Sequence, residues 1–366
     1  MSKLIIAEKP SLARNIVSGI GEMKRKAGYF ENDEYIVTWA FGHLFSLCDV
    51  EDYLPSPVQN KKWTLDNLPC FPDKFRFRLK KDDKGNIDEG VKKQFEIIRS
   101  LLNRKDVNKI VNAGDSDREG EIIVRLCVSN ALVSPKPFYR LWLPDQTPQT
   151  VRKALSEMKE ETENQNLANE GFSRTYIDWL YGVNLTRYAS IKSGSLLRVG
   201  RVIVPIVKAV YDRDYEIENF KPEIYYALVS RAKTNGEVIE LVSKYRFKEE
   251  EKAKAERCCE RMNVLLATVV DKKAKKEILF PGKLYSLTKL QNFLGKKYKM
   301  PMEKSLSIVQ KLYENGYVSY PRTNSEYLAT NEKDKVKQII SGVKKLGYNI
   351  IFKDKKTIFD DSKIES

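Results

Sequence analysis

Apolar positions along this chain switch between two spacings, and the switches mark out its elements. The opening run "KLIIAEK" is continuously apolar until Glu8, which suits a buried strand. "SLARNIVSGI" then follows with helical spacing after a Pro-Ser start. "DVNKIVNA" (106–113) is a second strand-like run that ends at Gly114, and "EGEIIVRLCVSNAL" after it returns to the helical period. Two strands therefore each hand over to a helix, and residues 1–145 read as an α/β domain. "TPQTVRKALSEM" and "NEGFSRTYIDWLYGVNLTRYASI" are amphipathic helices of a second, mostly α unit over 146–220.

From Pro222 the pattern changes. "EIYYALVSRA" and "GEVIELVSKYRF" are strand-like and joined through Asn235-Gly236, a strong hairpin signal. "FKEEEKAKAERCCERM" predicts a charged helix, and "VLLATVVDKKAKKEILF" a return to strand, so 221–280 reads as β-rich. "SLTKLQNFLGKKYKM" and "MEKSLSIVQKLYENG" then predict a third, all-α unit over 281–366.

Charge adds a hint about partners. The chain carries 65 Lys+Arg against 50 Asp+Glu, a formal net charge of +15. That excess favours a polyanionic partner, although lysine in runs such as "KKDDKGN" also suits a plain solvated surface. Charge alone leaves both readings open. No segment approaches the roughly 18 apolar residues of a membrane span, and the N-terminus lacks the long apolar region of a signal peptide. Five cysteines without C-x2-C pairing, beside a single histidine, read as reduced thiols rather than zinc ligands. These features lead us to expect a soluble cytoplasmic protein with no membrane partner.

Against this basic background "DSDREGE" (115–121) packs four carboxylates into seven residues. Acids this close repel one another unless a cation holds them. An alternating Asp115-x-Asp117 turn aims two carboxylates at one point, and Mg2+ accepts two or three such oxygens while keeping waters. The plainer reading is a solvated turn neutralised by Arg118. Glu8 and the acidic cluster each follow a strand and precede a helix, at the sheet edge where open α/β folds collect active sites. Glu8 is then a third ligand or a proton-transfer group, and Lys9 a phosphate contact or proton donor.

The pair "IIAEKPSLARNI" and "NAGDSDREGE" resembles the Toprim domain, a metal-binding α/β fold with a mostly parallel sheet flanked by helices. Toprim alone leaves a primase or nuclease open. Four further stretches resemble blocks of the type IA DNA topoisomerases, nearest to the bacterial topoisomerase III group. They are "VTWAFGHLFSL", "DWLYGVNLTRYAS", "LLRVGRVIVPIVKAVYDRDYEIENFKPE" and "QKLYENGYVSYPRTNSEYL". A primase or nuclease does not account for the last of these.

The resemblance implies a multidomain α+β protein: Toprim over 1–145, a helical single-strand DNA-binding part over 146–220, a hinge segment over 221–280 and a tyrosine-bearing helical domain over 281–366. Tyr320 becomes the nucleophile toward single-stranded or negatively supercoiled DNA, with Arg322 on the scissile phosphate. Glu8 and Lys9 serve proton transfer and phosphate contact. Glu8, Asp115, Asp117 and Glu119 form the Mg2+ set, and Arg187, Arg198 and Arg201 line the DNA groove. The phosphotyrosine ester conserves bond energy, so no nucleotide cofactor is expected; a monomer is expected. His43 is assigned no chemistry.

The sequence departs from the family pattern at Ile203 and Val204, where Gln and Thr are usual, and at Asn324, where Asp is usual. Its closing "IFDDSKIES" resembles the segment just before the family's "HHAIIPT" motif. The chain is thus expected to be the N-terminal portion of such an enzyme. It would be either a cleaving enzyme or a non-catalytic remnant that binds Mg2+ and single strands.

Overall fold

The computed structural model describes residues 1–54, 63–82, 84–265, 271, 273–278, 283–323 and 325–364. The chain divides into two units, Met1–Arg201 with Gly282–Ser366, and Val202–Pro281.

The first unit opens with β1 (Ser2–Ala7) and α1 (Pro10–Ile20), followed by the short strands β2 (Lys24–Lys26) and β3 (Tyr29–Glu31) and by β4 (Tyr35–Trp39). A two-stranded insert, β5 (Phe45–Leu47) with β6 (Phe77–Leu79), leads to α2 (Glu89–Leu102), β7 (Val107–Ala113) and α3 (Arg118–Ala131). Then come β8 (Phe138–Arg140), α4 (Pro148–Ser156), β9 (Lys159–Glu160) and the long α5 (Gln165–Ser193). The main sheet runs β2-β3-β4-β1-β7-β8-β9. Its four central strands, β4-β1-β7-β8, are parallel, while β2, β3 and β9 pair antiparallel at the edges. The sheet is therefore mixed rather than mostly parallel, because short edge strands close both sides.

The unbroken apolar run of β1 follows from its central place. Leu4 and Ile6 point into one core with Phe95 and Ile98 of α2 and Ile123 and Val124 of α3. Ile5 and Ala7 point into the other, with Leu12 and Ile16 of α1 and Val151 of α4. A strand buried on both faces has no polar side to show.

The second unit begins with α6 (Ile203–Glu218), whose residues fall within the 146–220 segment assigned from the sequence. Next come β10 (Tyr225–Tyr226), β11 (Val229–Thr234), β12 (Glu237–Val242), β13 (Phe247–Lys248) and α7 (Lys252–Asn263). Strands β11 and β12 form the expected antiparallel hairpin. Asn235 and Gly236 both adopt positive φ (50° and 86°), the backbone a tight two-residue hairpin turn demands. The strand expected over 264–280 lies partly outside the described residues, and 271 and 273–278 hold no strand.

The chain returns to the first unit with α8 (Leu287–Tyr298), α9 (Met302–Glu314) and α10 (Lys333–Lys345). The end of α9 docks on α1, where Asn15 Nδ2 donates to the Glu314 carbonyl at 2.7 Å and to Gln146 Oε1 at 2.6 Å. Lys335 of α10 reaches the buried Asp145 at 2.5 Å. These contacts fix the segment after α9, which carries Tyr320.

Candidate active site

Ala7 and Ala113 are paired across β1 and β7, so the residues that follow leave the sheet side by side. The Asp115 amide donates to Glu8 Oε2 at 3.1 Å. Lys9 Nζ donates to Asp115 Oδ2 at 2.9 Å and lies 3.5 Å from Glu314. The loop folds back on the first turn of α3 through two glycines. A Cβ on Gly114 would stand 2.0 Å from the Gly120 carbonyl oxygen, and one on Gly120 2.4 Å from that of Asp115. Only residues without a side chain allow this approach.

Tyr320 is brought to the loop by its own backbone and ring. Its amide donates to the Pro144 carbonyl at 3.0 Å. Its ring packs edge-on against buried Tyr313 at 5.3 Å. The Tyr320 hydroxyl donates to Asp117 Oδ2 at 2.5 Å, and Arg322 Nη1 donates to the same oxygen at 3.2 Å. Asp117 Oδ1 meanwhile accepts from the Gly120 amide at 2.8 Å and so caps α3. One carboxylate thus joins the acidic loop, the helix N-terminus, the phenol and the guanidinium.

The titration of these groups follows from that crowding. Burial, then the negative charge of Asp115, pushes Glu8 up to about 6. Burial of Asp117 disfavours its charge but is outweighed by the Gly120 amide, the phenol and Arg322, which hold its carboxyl below the usual range. Burial and the hydrogen bond to Asp117 push the Tyr320 phenol far above its ordinary value. Burial of Lys9 works against its charge but is outweighed by Asp115, so its ammonium is raised.

Whether a divalent cation suits this donor set is answered by Asp115, whose buried Oδ1 has no hydrogen-bond partner. A buried, orphaned carboxylate oxygen in the loop whose amide meets Glu8 is the donor chemistry of a hard cation. Among the described residues no three His, Cys, Asp or Glu side chains form a metal-holding group by themselves. The residues fit a cation that takes one or two protein carboxylates and fills its shell otherwise, as Mg2+ does.

The other half of "DSDREGE" is engaged elsewhere. The Glu119 carboxylate lies 3.5 Å from His43 Nε2 and 3.7 Å from Arg174 Nε. Glu121 is fully buried and paired with Arg140 at 2.9 Å and Arg125 at 2.7 Å. Arg140 also donates to the carbonyls of Gly114 (3.0 Å) and Asp115 (2.8 Å), so it holds the acidic loop by its backbone. Sequence reasoning missed Arg140. Its signal was a lone arginine inside the apolar run "FYRLWL", since a charge in such a strand needs buried partners.

The three arginines expected at a DNA groove differ in their surroundings. Arg187 is held bidentately by Glu51 (2.7 and 2.8 Å) and lies 5.1 Å from the Trp63 ring. Arg201 pairs with Asp178 at 2.6 Å. Arg198 is exposed and has no ion-pair partner among the described residues. Ile203 and Val204 begin α6, and Asn324 lies outside the described residues. All five cysteines are free thiols, and no described helix is long and apolar enough to cross a membrane.

Paired strand tips carrying an acidic turn define the class, and residues 3–144 match the family model described as the Toprim domain. Toprim domains generally bind divalent metal ions. Residues 162–365 match a second family model, described as DNA topoisomerase. The chain belongs to the DNA topoisomerase family. It is 36% identical over 335 residues to a DNA topoisomerase 3 of Bacillus cereus, covering 90% of this chain and 44% of that protein. It is 33% identical over 355 residues to one of Staphylococcus epidermidis, covering 97% of this chain and 48% of the relative. A third relative, from Staphylococcus aureus, is 32% identical over 373 residues, 100% of this chain and 50% of its own length. The chain spans about half the length of the curated relatives it matches.

Proposed function

We propose that this chain carries the strand-cleaving centre of a type IA DNA topoisomerase, acting on single-stranded or negatively supercoiled DNA. The observation that supports this most strongly is the Tyr320 hydroxyl held 2.5 Å from Asp117 with Arg322 on the same carboxylate oxygen. Tyr320 Oη bonds to a backbone phosphorus, and the bond from phosphorus to O3′ breaks, leaving a 5′-phosphotyrosine. Asp117 accepts the phenol proton. Glu8, pushed up to about 6, supplies a proton to the departing O3′. Lys9 and Arg322 offset the charge that develops on the phosphoryl oxygens. The aryl ester conserves the energy of the broken bond, so the reverse attack by O3′ reseals the strand without a nucleotide cofactor.

Asp115, with Asp117 beside it, would hold the divalent cation, Mg2+ in this reading. The cation supplies positive charge that lets carboxylates work next to phosphate. Residues 146–220 and the exposed Arg198 would follow the single strand, with 221–280 as the hinge segment. The test is incubation of the purified chain with negatively supercoiled DNA and Mg2+, beside Tyr320→Phe. Relaxation that the variant lacks is expected. Ordinary single-strand binding with no relaxation by the unaltered chain contradicts the reading.

A further inference from the structure

A cavity of about 400 Å³ opens beside the acidic site, on the α1 side of the sheet. Its wall is aromatic: Phe30 and Trp39 meet at 5.7 Å between ring centres, and Phe41 is 51% exposed. Its rim carries Arg14 and Arg25, both exposed and neither ion-paired among the described residues. Pro10, which also lines it, directly follows Glu8 and Lys9. The wall is tied to the site from the other side as well, since Trp39 pairs with Ala7 and the Gly42 amide donates to the Glu8 carbonyl at 3.0 Å.

The exposed Phe41 and the partly open Trp39 offer flat apolar faces, and the two unpaired guanidiniums beside them would repel any cationic ligand. A flat π-face with phosphates on either side satisfies both features. Stacking suits any base, while the arginines take the backbone. We infer that this pocket seats one unpaired nucleobase of the DNA strand next to the reaction centre, with Arg14 and Arg25 contacting its flanking phosphates. The inference rests on the DNA-cleaving reading above and adds a specific base site to it.

The test uses the full chain carrying Tyr320→Phe, which leaves the strand intact, and short fluorescent single-stranded oligonucleotides. A single abasic site is moved along the oligonucleotide, and affinity is read by anisotropy. One position should lose about tenfold in affinity. Phe41→Ala, an exposed position whose change spares the core, should flatten the scan at that position alone, and Trp39→Leu should do the same. Arg14→Gln with Arg25→Gln should weaken all oligonucleotides and lower the salt dependence by about 1.4 logarithmic units per decade, as expected for two lost phosphate contacts on a single strand. An abasic scan that is flat in the parent chain, or unchanged by Phe41→Ala and Trp39→Leu, overturns the base site while leaving DNA binding intact. Failure of the parent chain to bind any oligonucleotide overturns the DNA-cleaving reading as well.

Discussion

Two groups of acids flank the loop between β7 and α3, and they are stabilised in opposite ways. Glu121 and Glu161 sit behind the loop and are enclosed by partners: Arg140, Arg125 and Asn112 all donate to them. Glu8, Asp115 and Asp117 sit at the strand tips and are left open. There one carboxylate oxygen lacks any donor, and another is shared by a phenol and an arginine. The closed group is tied into the architecture by its partners; in the reading proposed above, the open one is left for an incoming cation and phosphate. What distinguishes the two groups is enclosure: Glu121 and Glu161 are shut in behind the loop, while Glu8 and Asp117 stay partly open at the strand tips.

The closed group can be broken most severely at Arg140. Arg140→Ala leaves Glu121 in the interior with Arg125 as its remaining arginine partner and should cost about 3–5 kcal/mol in denaturant unfolding. Asp115 and Asp117 should then lose their positions together, because Arg140 also holds the Gly114 and Asp115 carbonyls. A stability close to that of the unaltered chain would mean that the loop holds itself.

A pH titration sharpens the contrast next. Burial and the neighbouring Glu121 push Glu161 up to about 8, and its Oε2, which accepts no hydrogen bond, is the natural seat of the proton. A carboxyl raised in the folded state retains a proton that the unfolded chain has released. Its contribution to stability is therefore complete below the ordinary carboxylate value near 4.5 and is lost as pH rises toward 8. Stability to denaturant should fall as pH rises through that range, and Glu161→Gln should remove that slope.

In the open group, Asp117→Asn should leave the cap of α3 nearly intact, because asparagine caps a helix as well as aspartate does. Its clearer effect should be spectroscopic. Without the carboxylate, the Tyr320 phenol should ionise at lower pH, read as the ultraviolet difference from Tyr320→Phe. The smallest effect is expected at Arg201→Ala, whose surface pair with Asp178 contributes less than about 0.5 kcal/mol. A larger loss there would give that arginine a structural task.

Much of the open group was legible in the sequence, because strand–acid–helix order is local. Glu8 after "LIIA" and Asp115 after "IVNAG" needed only two apolar runs to place them at strand ends. The parallel pairing of β1 with β7 then brought those ends together. Tyr320 and Arg322 came from the resemblance of one block. What the sequence could not display were the long-range partners. Arg140 lies in an apolar strand whose neighbour supplies the carbonyls it holds. Glu119 has the same local pattern as Asp117, yet α3 carries its carboxylate toward His43 and Arg174. The mixed sheet was hidden for a related reason, since its antiparallel edges are strands of two or three residues, too short to show a period.

The central claim is that the acidic loop and Tyr320 form one reaction centre. Its most direct test is covalent trapping on a single-stranded oligonucleotide labelled at its 3′ end, with Mg2+ present and denaturant added to stop the reaction. The unaltered chain should carry the label on Tyr320, as located by mass spectrometry of the peptide, and Asp117→Asn should sharply reduce the yield. No adduct on the unaltered chain, or an adduct on another residue, would contradict the account.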